Sequence, residues 1–246
     1  MRTRFEDLTQ SDQARIQAAS QEATRLAAHF ALPVLVHADT AQLRSASACV
    51  FELPRVGILA TAHHVFSRWQ ELESEGQKWK WQVLNTPIEP LRQLAYEDAS
   101  RDLVFFDLSR KQRTELAVAA HRPIQPWPPT PLPEGDYIIA AGYPAFERLQ
   151  PEPLEVGFGC VASSHRVTRA GEHHAVCQFE REHWITAGPA PLPAPGVPWN
   201  GLSGGPVLRL DQLALPIVGI VSEFHDSFEL MRLETFAGVS WLADFA

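Results

Sequence analysis

Short apolar runs of β type, each cut off by polar or Gly/Pro-bearing pieces, recur from residue 34 onward, and that cadence restricts the chain to a barrel or a sandwich. VLVHA from 34, SACVFEL from 47, VGILATA from 56 and DLVFFDL from 102 form one set. DYIIAAGY, EVGFGCVASS, HHAVCQFE, PVLRL and PIVGIVSEF form the other. Between them HRPIQPWPPTPLPEG, residues 121–135, carries six prolines, which prevent regular helix and leave an extended, stiff connector. Two barrels, one on each side of the connector, fit this layout, and closure would remove the exposed edges that so many strands create. A helix is predicted ahead of them over 11–30, capped by Ser11 or Asp12, with Ile16, Ala19, Ala23, Leu26 and Phe30 at spacings near 3.6 and Pro33 as its terminator. ELESEGQKWK from 71 reads as a polar loop, and the closing ETFAGVSWLADFA as a strand and a short helical turn. The expected domains are a helical segment over 1–33, a first barrel over 34–122 and a second over 123–246.

Composition narrows the function. The 246 residues are 45% hydrophobic, enough for a substantial core, and 20% charged. A net charge of −8 with no Lys/Arg cluster argues against a nucleic-acid binder. Cys49, Cys160 and Cys177 are odd in number and widely spaced, unlike a disulfide framework. The start MRTRFEDLTQSDQARIQ has no apolar stretch behind its basic residues, and no run approaches a membrane span. A cytoplasmic protein with reduced thiols is expected, with no membrane partner.

Three segments carry the chemistry. In Gly201-Leu202-Ser203-Gly204-Gly205-Pro206, glycines flanking a serine let the backbone turn sharply and aim amide N–H groups inward. A serine attacking a carbonyl needs such donors, because the tetrahedral intermediate carries negative charge on oxygen; the N–H groups of Gly201 and Ser203 are the natural pair. The same letters also suit a plain glycine-rich turn. In Ala60-Thr61-Ala62-His63-His64-Val65 a histidine at a strand end can reach across a cleft as general base. A surface histidine pair is the alternative; neighbouring histidines on an extended chain point apart and make poor joint metal ligands. No Cys/His set has zinc-finger spacing, and neither metal nor cofactor is expected. In RDLVFFDL, Asp102 stands ahead of an apolar strand, where a buried carboxylate would fix an imidazole tautomer. Asp107 competes, but inside the strand pattern it faces solvent. His64 and Asp102 precede the connector and Ser203 follows it, so a cleft between two barrels would bring them together.

With these residues the chain resembles the trypsin-like (chymotrypsin-fold) serine peptidases, especially bacterial members without disulfides. ATAHHVF resembles the family's TAAHC segment, RDLVFFDL its DIALLKL and GLSGGPV its GDSGGPV, in the chymotrypsin order His, Asp, Ser. AAGYP at 140–144 resembles the turn early in the second barrel, and PIVGIVSEF the strand lining the primary pocket. The resemblance runs from about residue 45 to the end. It implies an all-β fold of two six-stranded Greek-key barrels, here with an extra N-terminal helix and a short C-terminal one. It also implies His64, Asp102 and Ser203 as the triad.

Departures from the family shape the expectations. Leu202 stands where family members activated by cleavage have the aspartate that pairs with a new N-terminal amine, so activity independent of N-terminal trimming is expected. Val65 stands where secreted relatives have a cysteine. The pocket is expected to involve Val197, Ser222, Glu223 and Phe224: Ser222 supporting Asp102, Phe224 narrowing the pocket towards small apolar side chains, Glu223 favouring basic residues at flanking positions. An intracellular serine endopeptidase performing limited proteolysis of a protein or peptide substrate follows. A binding or scaffold module on the same fold, or an esterase, are the alternatives. The helix at 11–30 either packs on a barrel or docks a regulatory partner. His63, His173 and His174 read as surface or loop residues, Cys160 and Cys177 as buried in strands.

Overall fold

The apolar runs pair into two main sheets, one on each side of the connector, in a computed structural model that describes residues 9–38, 43–76, 78–152, 155–179, 185–186, 197–210, 215–225 and 229–245. The first sheet contains β1 (Leu32–Ala38), β2 (Leu43–Glu52), β3 (Gly57–Ala62), β4 (Trp79–Val83), β5 (Thr86–Ile88), β6 (Leu94–Asp98), β7 (Leu103–Leu108) and β8 (Ala120–His121). Its order is β5-β4-β1-β2-β3-β7-β6, with β8 beside β2, and it curls into a half-barrel. Beyond the connector come β9 (Tyr137–Gly142), β10 (Arg148–Glu152), β11 (Glu155–Phe158), β12 (Val161–Ala170), β13 (His174–Gln178), β14 (Ile185–Thr186), β15 (Pro206–Arg209), β16 (Ile217–His225) and β17 (Leu230–Thr235). Strands β12, β9, β15, β16, β17 and β13 follow one another, and β13 returns to β12, which closes a six-stranded barrel. The fold is the chymotrypsin-like double barrel.

Strands β3 and β7 explain their unbroken apolar runs. Ile58, Ala60, Leu103 and Phe105 face a cluster shared with Ile139, Leu208, Ile220 and Phe236 of the second barrel. Leu59, Val104 and Phe106, on the opposite face, belong to the first sheet's own core. Both faces are therefore buried over most of each strand, so the alternation of a half-exposed strand disappears. These two strands lead to His64 and follow Asp102, which places both residues at the seam between the barrels.

The helices bring two corrections. Helix α1 (Gln10–Phe30) starts one residue before Ser11 and ends ahead of Pro33, which lies within β1 opposite Ser47. Its packed face is also rotated from the expected stripe: Ala19 is exposed and Leu26 is 42% exposed, while Ala27 and Ala31 are buried. Those alanines, with Ala23, Ala28 and Phe30 beside them, join the shared cluster, and the helix lies against β9, β12 and β15. The Ile16 side chain lies outside the described set. Small side chains let the helix backbone approach the barrel closely, a fit that outweighs the area of Leu26.

The second correction concerns the stretch from 71. It is no simple loop: α2 (His63–Ser74) runs into it and β4 starts at Trp79. Phe66, Trp69 and Leu72 are buried at three-residue intervals, and Phe66 meets Trp81 and Phe106 with ring centroids 6.4 and 5.5 Å apart. The polar solvent face of this amphipathic helix hides that stripe in the sequence. Short helices α3 (Pro90–Gln93) and α4 (Arg110–Leu116) flank β6 and β7, and α5 (Ser240–Ala243) is the expected closing turn. Among the described residues no helix is long and apolar enough to cross a membrane. Residues 122–135 of the connector contain neither helix nor strand; of the second proline-rich piece, residues 187–196 lie outside the described ones.

Candidate active site

Asp102 is held by its own turn. Asp98 accepts hydrogen bonds from the N–H groups of Ser100 and Arg101 and from the Ser100 hydroxyl, which closes a 3₁₀ turn over Ala99–Arg101. Asp102 follows in the left-handed region at φ 50°, ψ 39°. The Arg101 guanidinium reaches across the seam to the carbonyls of Thr235 and Ala237 at 2.6 and 2.8 Å, anchoring the turn to the second barrel.

From there Asp102 serves the start of α2. Ala62, the residue before the helix, offers no side-chain cap. Instead the N–H of His63 donates to the Asp102 carbonyl at 3.0 Å and that of His64 to Asp102 Oδ1 at 2.8 Å. A carboxylate at a helix N-terminus satisfies orphan donors and meets the positive end of the helix dipole. The same carboxylate lies 2.9 and 3.1 Å from His64 Nδ1. An ionised carboxylate can only accept, so the proton is on Nδ1 and the neutral ring presents Nε2 as a base. Ser222 Oγ donates to Asp102 Oδ2 at 2.6 Å, the support expected of it. Burial works to raise the Asp102 pKa; the hydrogen bond and charge of His64, with Ser222, outweigh it and hold the carboxyl below its ordinary value. His63 turns instead towards Glu97, 3.7 Å away, and Asp107 is exposed.

Ser203 sits on a loop that only glycine permits. Gly201 has φ +99° and Gly204 φ +87°; a Cβ on Gly204 would run into the Ser47 carbonyl and the Thr61 hydroxyl. The Asn200 carbonyl accepts from Ala145 N–H at 2.6 Å and the Leu202 carbonyl from Gly205 N–H at 2.9 Å. In a trans peptide the N–H points opposite to the C=O, so the Gly201 and Ser203 amides are turned the other way. Among the described residues neither has an acceptor. Ser203 Oγ donates to the Ser222 carbonyl at 3.0 Å, while its side chain and His64 line the same cleft. Leu202 is 1% exposed, packed in the second barrel's core.

The cleft has a volume of ≈ 560 Å³. Ser222, Glu223 and Phe224 are in its wall; Val197 is not, and Pro198, Trp199 and Asn200 take that place. Counting back from Ser203 misjudges the loop because Trp199 turns inward, 2% exposed, against Phe146 and Phe179. Phe224 packs against Phe179 with the rings tilted by 49° and their centroids 4.2 Å apart. Glu223 lies 3.3 Å from His225 and faces Arg232 in the ladder, and Arg232 is also in the wall. A smaller hollow of ≈ 200 Å³ opens on the other side of His64 and Ser203, floored by Val36, Val65, Trp69 and Leu72. The sequence reading missed Arg101, Asp98, Arg232 and Ser47. Only Asp98-Ala99-Ser100 carried a local signal, an Asp followed by a Ser it can bond. The cysteines are buried and free, with burial raising all three thiols, Cys160 and Cys177 to about 12. Such thiols are poor nucleophiles.

No protein-family model and no curated protein matches this sequence. Solved structures do match in shape. A serine endoprotease from Yersinia pestis superposes with a TM-score of 0.54 at 14% identity, over 92% of this chain and 65% of that one, so the chain spans about two thirds of its length. The thermostable serine protease AL20 from an extremophilic microorganism gives 0.51 at 14% identity, over 87% and 94%. At such identity the likeness is one of fold.

Proposed function

We propose that this chain is a serine endopeptidase with Ser203 as nucleophile, His64 as general base and general acid, and Asp102 as the residue that orients His64. The observation that carries the reading is the linked set Ser222–Asp102–His64 facing Ser203 in one cleft, with two amides on the nucleophile's own loop that have no acceptor among the described residues. Ser203 Oγ leaves the Ser222 carbonyl by rotation about χ1 and meets His64 Nε2. It attacks the substrate carbonyl while Nε2 takes its proton, and the oxyanion lies against the N–H groups of Gly201 and Ser203. Collapse expels the amine, which receives that proton from His64. Water then enters by the same route, giving its proton to Nε2 as it attacks the acyl-enzyme, whose collapse returns Ser203 and releases the acid.

We infer that the Phe224 ring, which packs beside Trp199 in the cleft wall, limits the cut residue to a small apolar side chain. Three buried free thiols favour a reducing compartment. A fluorophosphonate probe and a peptide library, each applied to wild type and Ser203→Ala, test these statements together. Labelling and cleavage present in the wild type and lost in Ser203→Ala are expected, with small apolar residues preferred. A Lys/Arg preference overturns the pocket assignment, ester turnover without peptide cleavage favours an esterase, and a wild type inert to the probe favours a binding module.

A further inference from the structure

Four successive carbonyls around the nucleophile are tied down. Those of Asn200 and Leu202 are held by the N–H groups of Ala145 and Gly205, and that of Ser203 by the N–H of Ser47 at 2.9 Å. The fourth, Gly201, accepts from the Ser47 hydroxyl at 2.7 Å. The same hydroxyl oxygen accepts from the N–H of Tyr143 at 2.8 Å, and the Ser47 carbonyl accepts from Thr61 Oγ1 at 2.7 Å. Ser47 is fully buried, in β2 of the first sheet; the loop it grips belongs to the second barrel.

We infer that Ser47 is a positioning residue for the oxyanion-binding amides, an inference that rests on the proposed peptidase activity. The Gly201–Leu202 peptide lies between the two units whose N–H groups face the cleft. Its carbonyl is held by a side chain alone, and it follows a glycine that can rotate at little cost. Without the hydroxyl, the buried Gly201 carbonyl and the partly buried Tyr143 N–H both lose their partner. A shift of the chain about the Gly201 Cα relieves that, and it changes the angle between the flanking Asn200–Gly201 and Leu202–Ser203 units, so that the Gly201 and Ser203 amides no longer converge on one point. Because Thr61 lies three residues before His64, the hydrogen bonds through Ser47 also fix the nucleophile loop relative to the strand that ends at the base. A displacement of about 1 Å at such a site is enough to lower kcat about 10²-fold.

Ser47→Ala and Ser47→Cys test this, with rates taken per folded molecule. The expected result is a fall in kcat of about 10- to 100-fold in Ser47→Ala with KM within about threefold of wild type. A peptidyl aldehyde, which forms the oxyanion, loses affinity by a similar factor, while a product peptide does not. The pH profile of kcat/KM keeps its shape, and Ser47→Cys, with its weaker donor, falls between. Wild-type kcat and aldehyde affinity in the folded variants overturn the inference, whatever their unfolding midpoints; if the alanine variant does not fold, the cysteine variant is judged alone by the same criterion. The ¹⁵N–¹H shifts of Gly201 and Ser203 give a readout independent of turnover: they move in the variants if Ser47 sets these amides and stay put if it does not. An inert wild type therefore overturns the peptidase reading while the shifts still decide the role of Ser47.

Discussion

Asp102 performs two tasks with one carboxylate: it fixes the His64 tautomer and supplies the missing cap of α2. Asp102→Asn should lower kcat about 10⁴-fold through the wrong tautomer, measured with a peptide substrate. The pH dependence has a definite sign. Because the folded pKa is depressed, the stabilisation from the ionised carboxyl is complete above the ordinary carboxylate value of about 4 and is lost as pH falls through the lower folded value. Denaturant titrations of wild type and Asp102→Asn should therefore show that the carboxylate's share of the stability difference shrinks as pH falls through that acid window. A difference that persists undiminished through the acid window would contradict this assignment. Leu202 illustrates the opposite case, an apolar residue in the nucleophile motif that is packed into the barrel core.

At the level of elements, β8 joins α1 to the first sheet through His121. Its ring meets Phe30 of α1 edge-on at 5.0 Å and Phe51 of β2 at 6.4 Å. Burial lowers its pKa to about 4 from 6.5, with a hydrogen bond to the Leu215 backbone offsetting part of the shift. Above pH 6.5 folded and unfolded states are both neutral. Below it the unfolded chain takes up a proton that the folded protein refuses until pH nears 4, so stability falls with acid by about 1.4 kcal/mol per pH unit across that window. His121→Phe should flatten this slope in denaturant titrations between pH 6.5 and 4; an unchanged slope would place the acid sensitivity elsewhere. Element identity was readable where both faces are apolar, as in β3 and β7. It was not readable in α2, whose three buried residues are interrupted by Ser67, Arg68, Gln70 and Glu71.

For the molecule as a whole, the seam between the barrels is the core that matters most for the site. Ala27 of α1, Ala31 just after it, Trp127 of the connector and strands from both sheets share it. Removing residues 1–30 would expose that cluster, so the truncated chain should unfold at a lower temperature and show no gain in turnover. Activity appearing only after such trimming would instead mean that α1 restrains the site.

By itself the sequence narrowed the fold to a barrel or a sandwich on either side of a proline-dense break, because strand cadence and proline density are local properties of the chain; its resemblance to the trypsin-like peptidases implied the double barrel and singled out His64, Asp102, Ser203 and Ser222. It did not determine which way α1 faces, that Val197 yields its place to Trp199, or that Ser47 touches the nucleophile loop. Those depend on residues as far apart as Ser47 and Gly201, 154 positions along the chain. Contacts of that kind leave no periodicity or spacing to read; they exist only once the two barrels have closed on each other.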